Sequence, residues 1–124
     1  MRSFKAIIDK DFISTMFADN YNSYWAKGWI SKDTPTELRN KAEKENKCTE
    51  DVWADILLGG GCIVIYDIEE DKEHRITLKE IESGLKILTF NYPRQYANIM
   101  THEYDFWDVD ALLQCVVFKD VIYG

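Results

Sequence analysis

From Asp9 onward the apolar residues Phe12, Ile13, Met16 and Phe17 recur three or four positions apart, and this spacing predicts a helix over about 9–20. The next stretch, NYNSYWAKGWI at 20–30, is aromatic and β-favouring with Gly28 as a breaker, and reads as a helix end running into a strand. Thr34-Pro35-Thr36-Glu37 has the form of a capping box, with Pro35 at the first helical position. The helix it opens is nearly all polar, and only Leu38 and Ala42 offer it a core contact. Thr49 is placed to cap a second short helix, EDVWADILL, with Glu50 and Asp51 near its positive end and Gly59 to Gly61 stopping it.

The run CIVIY at 62–66 is the clearest strand, β-branched and apolar enough for burial on both faces. The chain then turns polar through Asp67, and Arg75-Ile76-Thr77 pairs back as the second strand of a hairpin. Thr77 and Glu80 form a further capping box for a helix with Leu78, Ile81, Leu85 and Leu88 on one stripe, inside which Gly84 marks close packing or a weak point. The segment from Asn91 to Met100 contains Pro93 and reads as irregular. Asp108 or Asp110 then caps a last helix whose apolar face is Val109, Leu112, Leu113, Val116 and Val117. Asp120-Val-Ile-Tyr-Gly follows as a short strand that ties the end of the sequence into the sheet. These elements predict one α+β domain over 1–124, a small antiparallel sheet of about three or four strands against about four or five helices, with 30–48 a polar helical insertion.

Composition agrees with a packed core: of 124 residues, 46% are hydrophobic and 14% aromatic. A chain of this length buries roughly two-thirds of its unfolded surface. No charge-free apolar run approaches the roughly 18–20 residues of a membrane span, and the first residues lack the pattern of a signal peptide. Cys48, Cys62 and Cys115 form no CxxC pair and are odd in number, which fits a reduced, cytoplasmic protein.

Charge changes the picture more. Residues 1–47 carry nine Lys/Arg against seven Asp/Glu, whereas residues 48–124 carry six against fifteen, so +2 in the first part meets −9 in the second. Such an acidic body is repelled by nucleic acid and membrane surfaces and drawn to basic clefts. Its densest acidic stretch is the hairpin tip with Glu69, Glu70, Asp71 and Glu73, and Asp105, Asp108 and Asp110 extend the series. Its ordinary role is a solvated turn; its functional role is a prong that competes with phosphates for a partner's Lys and Arg. Tyr21, Tyr24, Trp25 and Trp29 crowd four large aromatics into nine residues, the residue types that dominate protein interfaces. Strand alternation would put Trp25 and Trp29 on one face and Tyr24 on the other.

Catalytic chemistry finds little support. The GGGC at 59–62 follows a helix and precedes a strand, the reverse of a phosphate loop, and reads as a helix stop. His102 lies beside Glu103, Asp105, Asp108 and Asp110, but without a metal-ligand spacing, so neither a metal nor another cofactor is expected. No Ser or Cys sits in a nucleophile motif.

Tyr24-Trp25-Ala26, the helix start Thr77-Leu78 with Ile81, Gly84 and Leu85, and above all Asp108-x-Asp110-Ala111, Gln114, Val117-Phe118-x-Asp120-Val-Ile-Tyr-Gly resemble a family of short proteins encoded by phages and mobile elements. The likeness covers the first helix to Trp25 and then roughly 50–124; family members often carry glycines where this chain has Ala18-Asp19-Asn20, and another where Lys119 stands. The family has no settled activity, so the resemblance implies a setting, a bacterial host cell, and transfers no catalytic residue. In class it is similar to anti-CRISPR and other anti-defence inhibitors, many of which occupy the nucleic-acid groove of a nuclease. The expectation is a non-enzymatic, nucleic-acid-mimicking protein whose partner is the basic groove of a defence effector, an RNA-guided nuclease first among them. It binds through Glu69, Glu70, Asp71, Glu73, Asp105, Asp108, Tyr21, Tyr24, Trp25 and Trp29, with no direct nucleic-acid or membrane contact. The alternatives are a homo-oligomeric mobile-element accessory protein and a small metal-dependent hydrolase built on His102.

Overall fold

The computed structural model describes residues 4–18 and 23–124, and Tyr21 lies outside them. Asp9 accepts a hydrogen bond from the Phe12 amide at 2.9 Å, which starts α2 (Lys10–Phe17) after the single turn α1 (Phe4–Ile7). Ile13, Met16 and Phe17 are its buried stripe, as the spacing predicts. The strand β1 (Ala26–Ile30) follows, then the polar α3 (Thr36–Glu45), in which Ala42 alone is buried, and α4 (Thr49–Leu58). The hairpin is β2 (Ile63–Asp67) and β3 (Lys72–Ile76), and α5 (Leu78–Asn91), α6 (Pro93–Met100) and α7 (Phe106–Phe118) complete the order.

The result is an α+β domain: among the described residues, seven helices and one antiparallel sheet in the order β1-β2-β3. Gly28 pairs with Ile65 and Ile65 with His74, on the face turned to Trp53 of α4. The opposite face carries the rows Lys27–Tyr66–Glu73 and Trp29–Val64–Arg75.

Several starts differ from the sequence reading. Thr34 does not cap α3, because its hydroxyl donates to the Cys62 carbonyl at 3.2 Å and accepts from the Cys62 amide; Pro35 is the flanking residue instead. Thr49 is the first residue of α4, preceded by Cys48. At α5 Thr77 is the cap residue, but its hydroxyl donates to the Glu80 carboxylate rather than accepting from the backbone. Pro93 opens α6, where a missing amide hydrogen costs nothing, so the stretch read as irregular is mostly helical.

Gly59 to Gly61 do stop α4. Gly60 takes φ +91, open to glycine at no steric cost, and the three amides close onto the carbonyls of Asp55, Leu57 and Ile56. Those N–H groups are therefore spent on the helix end.

The largest differences concern α7. Its cap is Asp105, in a reciprocal box with Asp108, so the helix begins earlier than a start at Asp108 or Asp110 would allow. It is not amphipathic: every residue from Asp108 to Val116 is buried, with α5, α6, α2 and β3 packed around it. A helix buried all round is the centre of a fold. Residues 120–124, expected to join the sheet, form no strand. They are nonetheless held, by hydrogen bonds to the side chain of Gln114.

Candidate functional site at the acidic end

Three polar side chains sit on the buried helix: Asp108, Asp110 and Gln114. Each has to find partners inside the protein, because a buried polar group left unpaired is costly. Asp108 spends its carboxylate on the Asp105 amide and on Asn98 Nδ2, both at 3.1 Å. Gln114 does something less common. Its Oε1 accepts from the amides of Ile122 at 2.9 Å and Tyr123 at 2.8 Å, while its Nε2 donates to the Tyr123 carbonyl at 3.0 Å. One side-chain amide thus gives Tyr123 the donor and acceptor that a neighbouring strand would have supplied, which is why residues 120–124 are tied down without joining the sheet.

Gln114 also donates to Asp110 Oδ2 at 2.7 Å, and Asp110 accepts from Trp25 Nε1 at 2.8 Å and from the Tyr24 hydroxyl at 3.3 Å. Trp25 is wholly buried, its ring 5.1 Å from Phe118 and 5.8 Å from Tyr123. The Tyr123 hydroxyl donates to both oxygens of Asp67, at 2.8 and 3.0 Å, and Asp67, only 1% exposed, also accepts from the amides of Glu69 and Glu70 at the hairpin tip. Such a carboxylate-to-backbone turn fixes the tip's conformation. The tip, the closing residues, Tyr24 and the start of α7 are therefore one connected end of the molecule.

That end is rich in carboxylates, with Lys72 opposite Asp67 and Lys119 beside Asp120 as cations within it. Four tyrosine hydroxyls donate to carboxylates: Tyr24 to Asp110, Tyr66 to Asp71, Tyr92 to Asp120 and Tyr123 to Asp67. Burial, the bond to Asp67 and the charges of Asp67, Glu70 and Glu69 push the Tyr123 phenol up to about 12. Desolvation and the Asp110 charge raise Tyr24, while the bonds to Asp71 and Asp120 raise Tyr66 and Tyr92; Asp120 is lowered by the same bond from Tyr92. The ion pairs among the described residues lie elsewhere: Lys10–Asp55, Arg39–Glu43, Arg75–Asp33 and Lys86–Glu82.

The predicted partner-binding residues are distributed unevenly. Glu69, Glu70, Asp71 and Glu73 are exposed at the tip and on β3, and Asp105 is exposed at the α7 cap. Asp108 is buried, with its Oδ2 bound to the Asp105 amide and to Asn98, so it belongs to the helix cap and not to the exposed surface. Trp25 offers no surface either: the strand begins only at Ala26, and the preceding residue turns into the core instead of sharing a face with Trp29. Trp29, 38% exposed, lies on the outer sheet face with its ring 6.2 Å from Tyr66. Tyr24 stands at the acidic end, its ring 6.1 Å from Trp107, which is 59% exposed and in edge contact with Phe106.

Sequence reasoning missed Trp107, Gln114 and Tyr123 as parts of this end. The available signal was the pair Asp110 and Gln114, one helical turn apart within an otherwise apolar helix. Gln114, Asp110, Trp107, Tyr92 and Tyr123 line an open cleft of about 200 Å³.

His102 is exposed at φ +58 and borders a different cavity, of about 250 Å³, with Asp9, Asp11 and Thr15. Among the described residues no group of His, Cys, Asp and Glu is arranged to hold a metal ion. Burial pushes the Cys115 thiol up to about 12, and hydrogen bonding to Asp51 raises Cys48, the opposite of what a nucleophile needs.

His74 carries a different consequence. Its ring meets Phe118 edge-on at 5.2 Å, and its Nε2 is buried without a hydrogen-bond partner among the described residues. Desolvation, with the Lys72 charge, lowers its pKa from the ordinary 6.5. The neutral form is thus favoured in the fold, so the stability it contributes is present above about pH 6.5 and is lost as pH falls through the lower folded value. His74→Phe is expected to flatten this part of the stability–pH curve, checked by urea unfolding of both proteins at intervals from neutral to mildly acidic pH.

No family model matches the chain, and no curated protein or solved structure is significantly similar to it. No helix among the described residues is long and apolar enough to cross a membrane.

Proposed function

We propose that this is a non-enzymatic binding protein that docks its acidic, aromatic end onto a basic protein surface. The observation that carries the reading is that the exposed carboxylates there have no ion-pair partner among the described residues, although Lys72 lies among them. Glu69, Glu70, Asp71, Glu73 and Asp105 are exposed with no Lys or Arg in ion-pair contact among the described residues, whereas Lys10, Arg39, Arg75 and Lys86 pair with carboxylates elsewhere. Charges left unpaired on one face steer association with a surface of opposite sign. Tyr24 and Trp107 add aromatic area to the same end. The resemblance to short phage and mobile-element proteins supports the setting, a bacterial cytoplasm, and the likeness in class to anti-defence inhibitors supports a nucleic-acid-dependent defence effector as the partner, with an RNA-guided nuclease the first member to examine.

Reversal of Glu69, Glu70 and Asp71 to Lys is expected to abolish most of the affinity and to flatten its dependence on salt. Two measurements read this: binding of a Lys/Arg-rich peptide at increasing ionic strength, and cleavage by guide-loaded nucleases with and without the protein. Unchanged peptide affinity in the reversed variant removes the tip from the surface. Undiminished cleavage by every nuclease examined removes the nuclease reading while leaving the basic partner.

A second reading rests on the outer face of the sheet, where Trp29 is 38% exposed with its ring beside Tyr66. It makes the protein a self-associating accessory factor. Light scattering across a concentration series decides: a monomer throughout rejects it.

A further inference from the structure

The cleft at the acidic end has a chemistry of its own. Asp110 is 2% exposed, yet it lines the cleft floor with Gln114. Its three donors, Trp25 Nε1, the Tyr24 hydroxyl and Gln114 Nε2, are all neutral, and no Lys or Arg among the described residues forms an ion pair with it. Neutral donors satisfy the lone pairs of a buried carboxylate but leave its charge uncompensated. Tyr92, Trp107 and Tyr123 line it too, beside Gln95, Ala111, Val121 and Gly124, and aromatic rings of this kind attract cations. At about 200 Å³ the cleft is smaller than the ~300 Å³ at which pockets for drug-sized ligands begin, a scale suited to one side chain. The Tyr24 hydroxyl donates to Asp110 at 3.3 Å, the longest of that carboxylate's three hydrogen bonds, and lies 3.4 Å from the Gly124 carbonyl, so it is the donor most easily exchanged for an entering one.

The geometry points to a receptor for a single cationic side chain of the partner: an arginine inserted between Trp107 and Tyr92, with its guanidinium directed at Asp110. Arginine is favoured over lysine because its planar head stacks on rings and is less strongly hydrated. An anion is excluded by the same carboxylates that raise the tyrosine pKa values around the cleft. This assignment rests on the docking reading above and names the residue that anchors it.

The test uses the amide of N-acetyl-arginine as probe, with the corresponding lysine and glutamine amides beside it, followed through the indole N–H resonances of Trp25 and Trp107. The expected result is a saturable shift of both with the arginine amide, weaker with lysine and absent with glutamine. Asp110→Asn is expected to weaken arginine binding by at least about tenfold. Should that variant fail to fold, Trp107→Ala, at an exposed position, is expected to weaken it to a similar extent. Equal response to the glutamine amide, or unchanged affinity in both variants, overturns the assignment. A Lys/Arg-rich peptide that docks in a salt-dependent way while the arginine amide gives no saturable shift also overturns the cleft, and leaves the docking surface standing. A saturable arginine shift without peptide docking supports the cleft and removes the surface.

Discussion

Replacing Trp25 with alanine is expected to leave the fold barely stable. A wholly buried tryptophan packed on Phe118 and Tyr123 loses about 3–5 kcal/mol on truncation, against the ~5–15 kcal/mol that hold a typical domain together. The same change removes the donor that Trp25 Nε1 presents to Asp110 Oδ1, so a buried carboxylate loses a charge-assisted hydrogen bond as well. Trp25→Phe separates the two effects, keeping most of the ring contact and deleting the donor, and should cost about 1.5–3 kcal/mol. Chemical unfolding of the three proteins checks the order: wild type most stable, Phe intermediate, Ala least. A Phe variant as stable as wild type would mean that Asp110 does not depend on this donor.

The second large effect is expected at Gly84. In the middle of an exposed helix, Gly→Ala stabilises by up to about 1 kcal/mol through propensity alone. Here α5 and α7 approach so closely that a Cβ on Gly84 would lie 2.5 Å from Val116 Cα and 2.6 Å from its backbone nitrogen. Backbone cannot swing aside as a flexible side-chain end can, so the helices must separate or shift. Overpacking of this kind costs about 1–3 kcal/mol, which outweighs the propensity gain and reverses the sign. Gly84→Ala is therefore expected to lower the Tm by several degrees, and Gly84→Val by more. A raised Tm would show that the two helices are not in register at this contact.

These two sites also show what could be read from the chain and what could not. The helix of Gly84 was legible because its Leu and Ile stripe has the helical period, and a glycine inside such a stripe points to close approach. The strands were legible too, in CIVIY and its polar return. The cap of α7 was not, since Asp105, Asp108 and Asp110 are all chemically suited to capping and only tertiary packing distinguishes them. The final residues read as a strand because VIY is β-favouring, and sequence contains no sign that a glutamine side chain will stand in for the neighbouring strand. Lys119 adds a related case: it ends α7 at φ +64, a conformation that favours glycine.

The site was half legible for the same reason. Charge counts located the acidic half, and the aromatic cluster pointed to its neighbourhood, because both are properties of composition. Burial is not. Trp25 and Asp108 look like their exposed neighbours in sequence, yet one fills the core and the other completes a cap. Trp107 was overlooked because its ring belongs to the cluster only once α7 brings it against Tyr24.

Hydrogen exchange with and without a Lys/Arg-rich peptide locates the docking face. Docking at the acidic end predicts slowed exchange over 67–73, at the start of α7 and over residues 120–124. Protection spread instead along α3 and α4, with the hairpin tip unchanged, would contradict it.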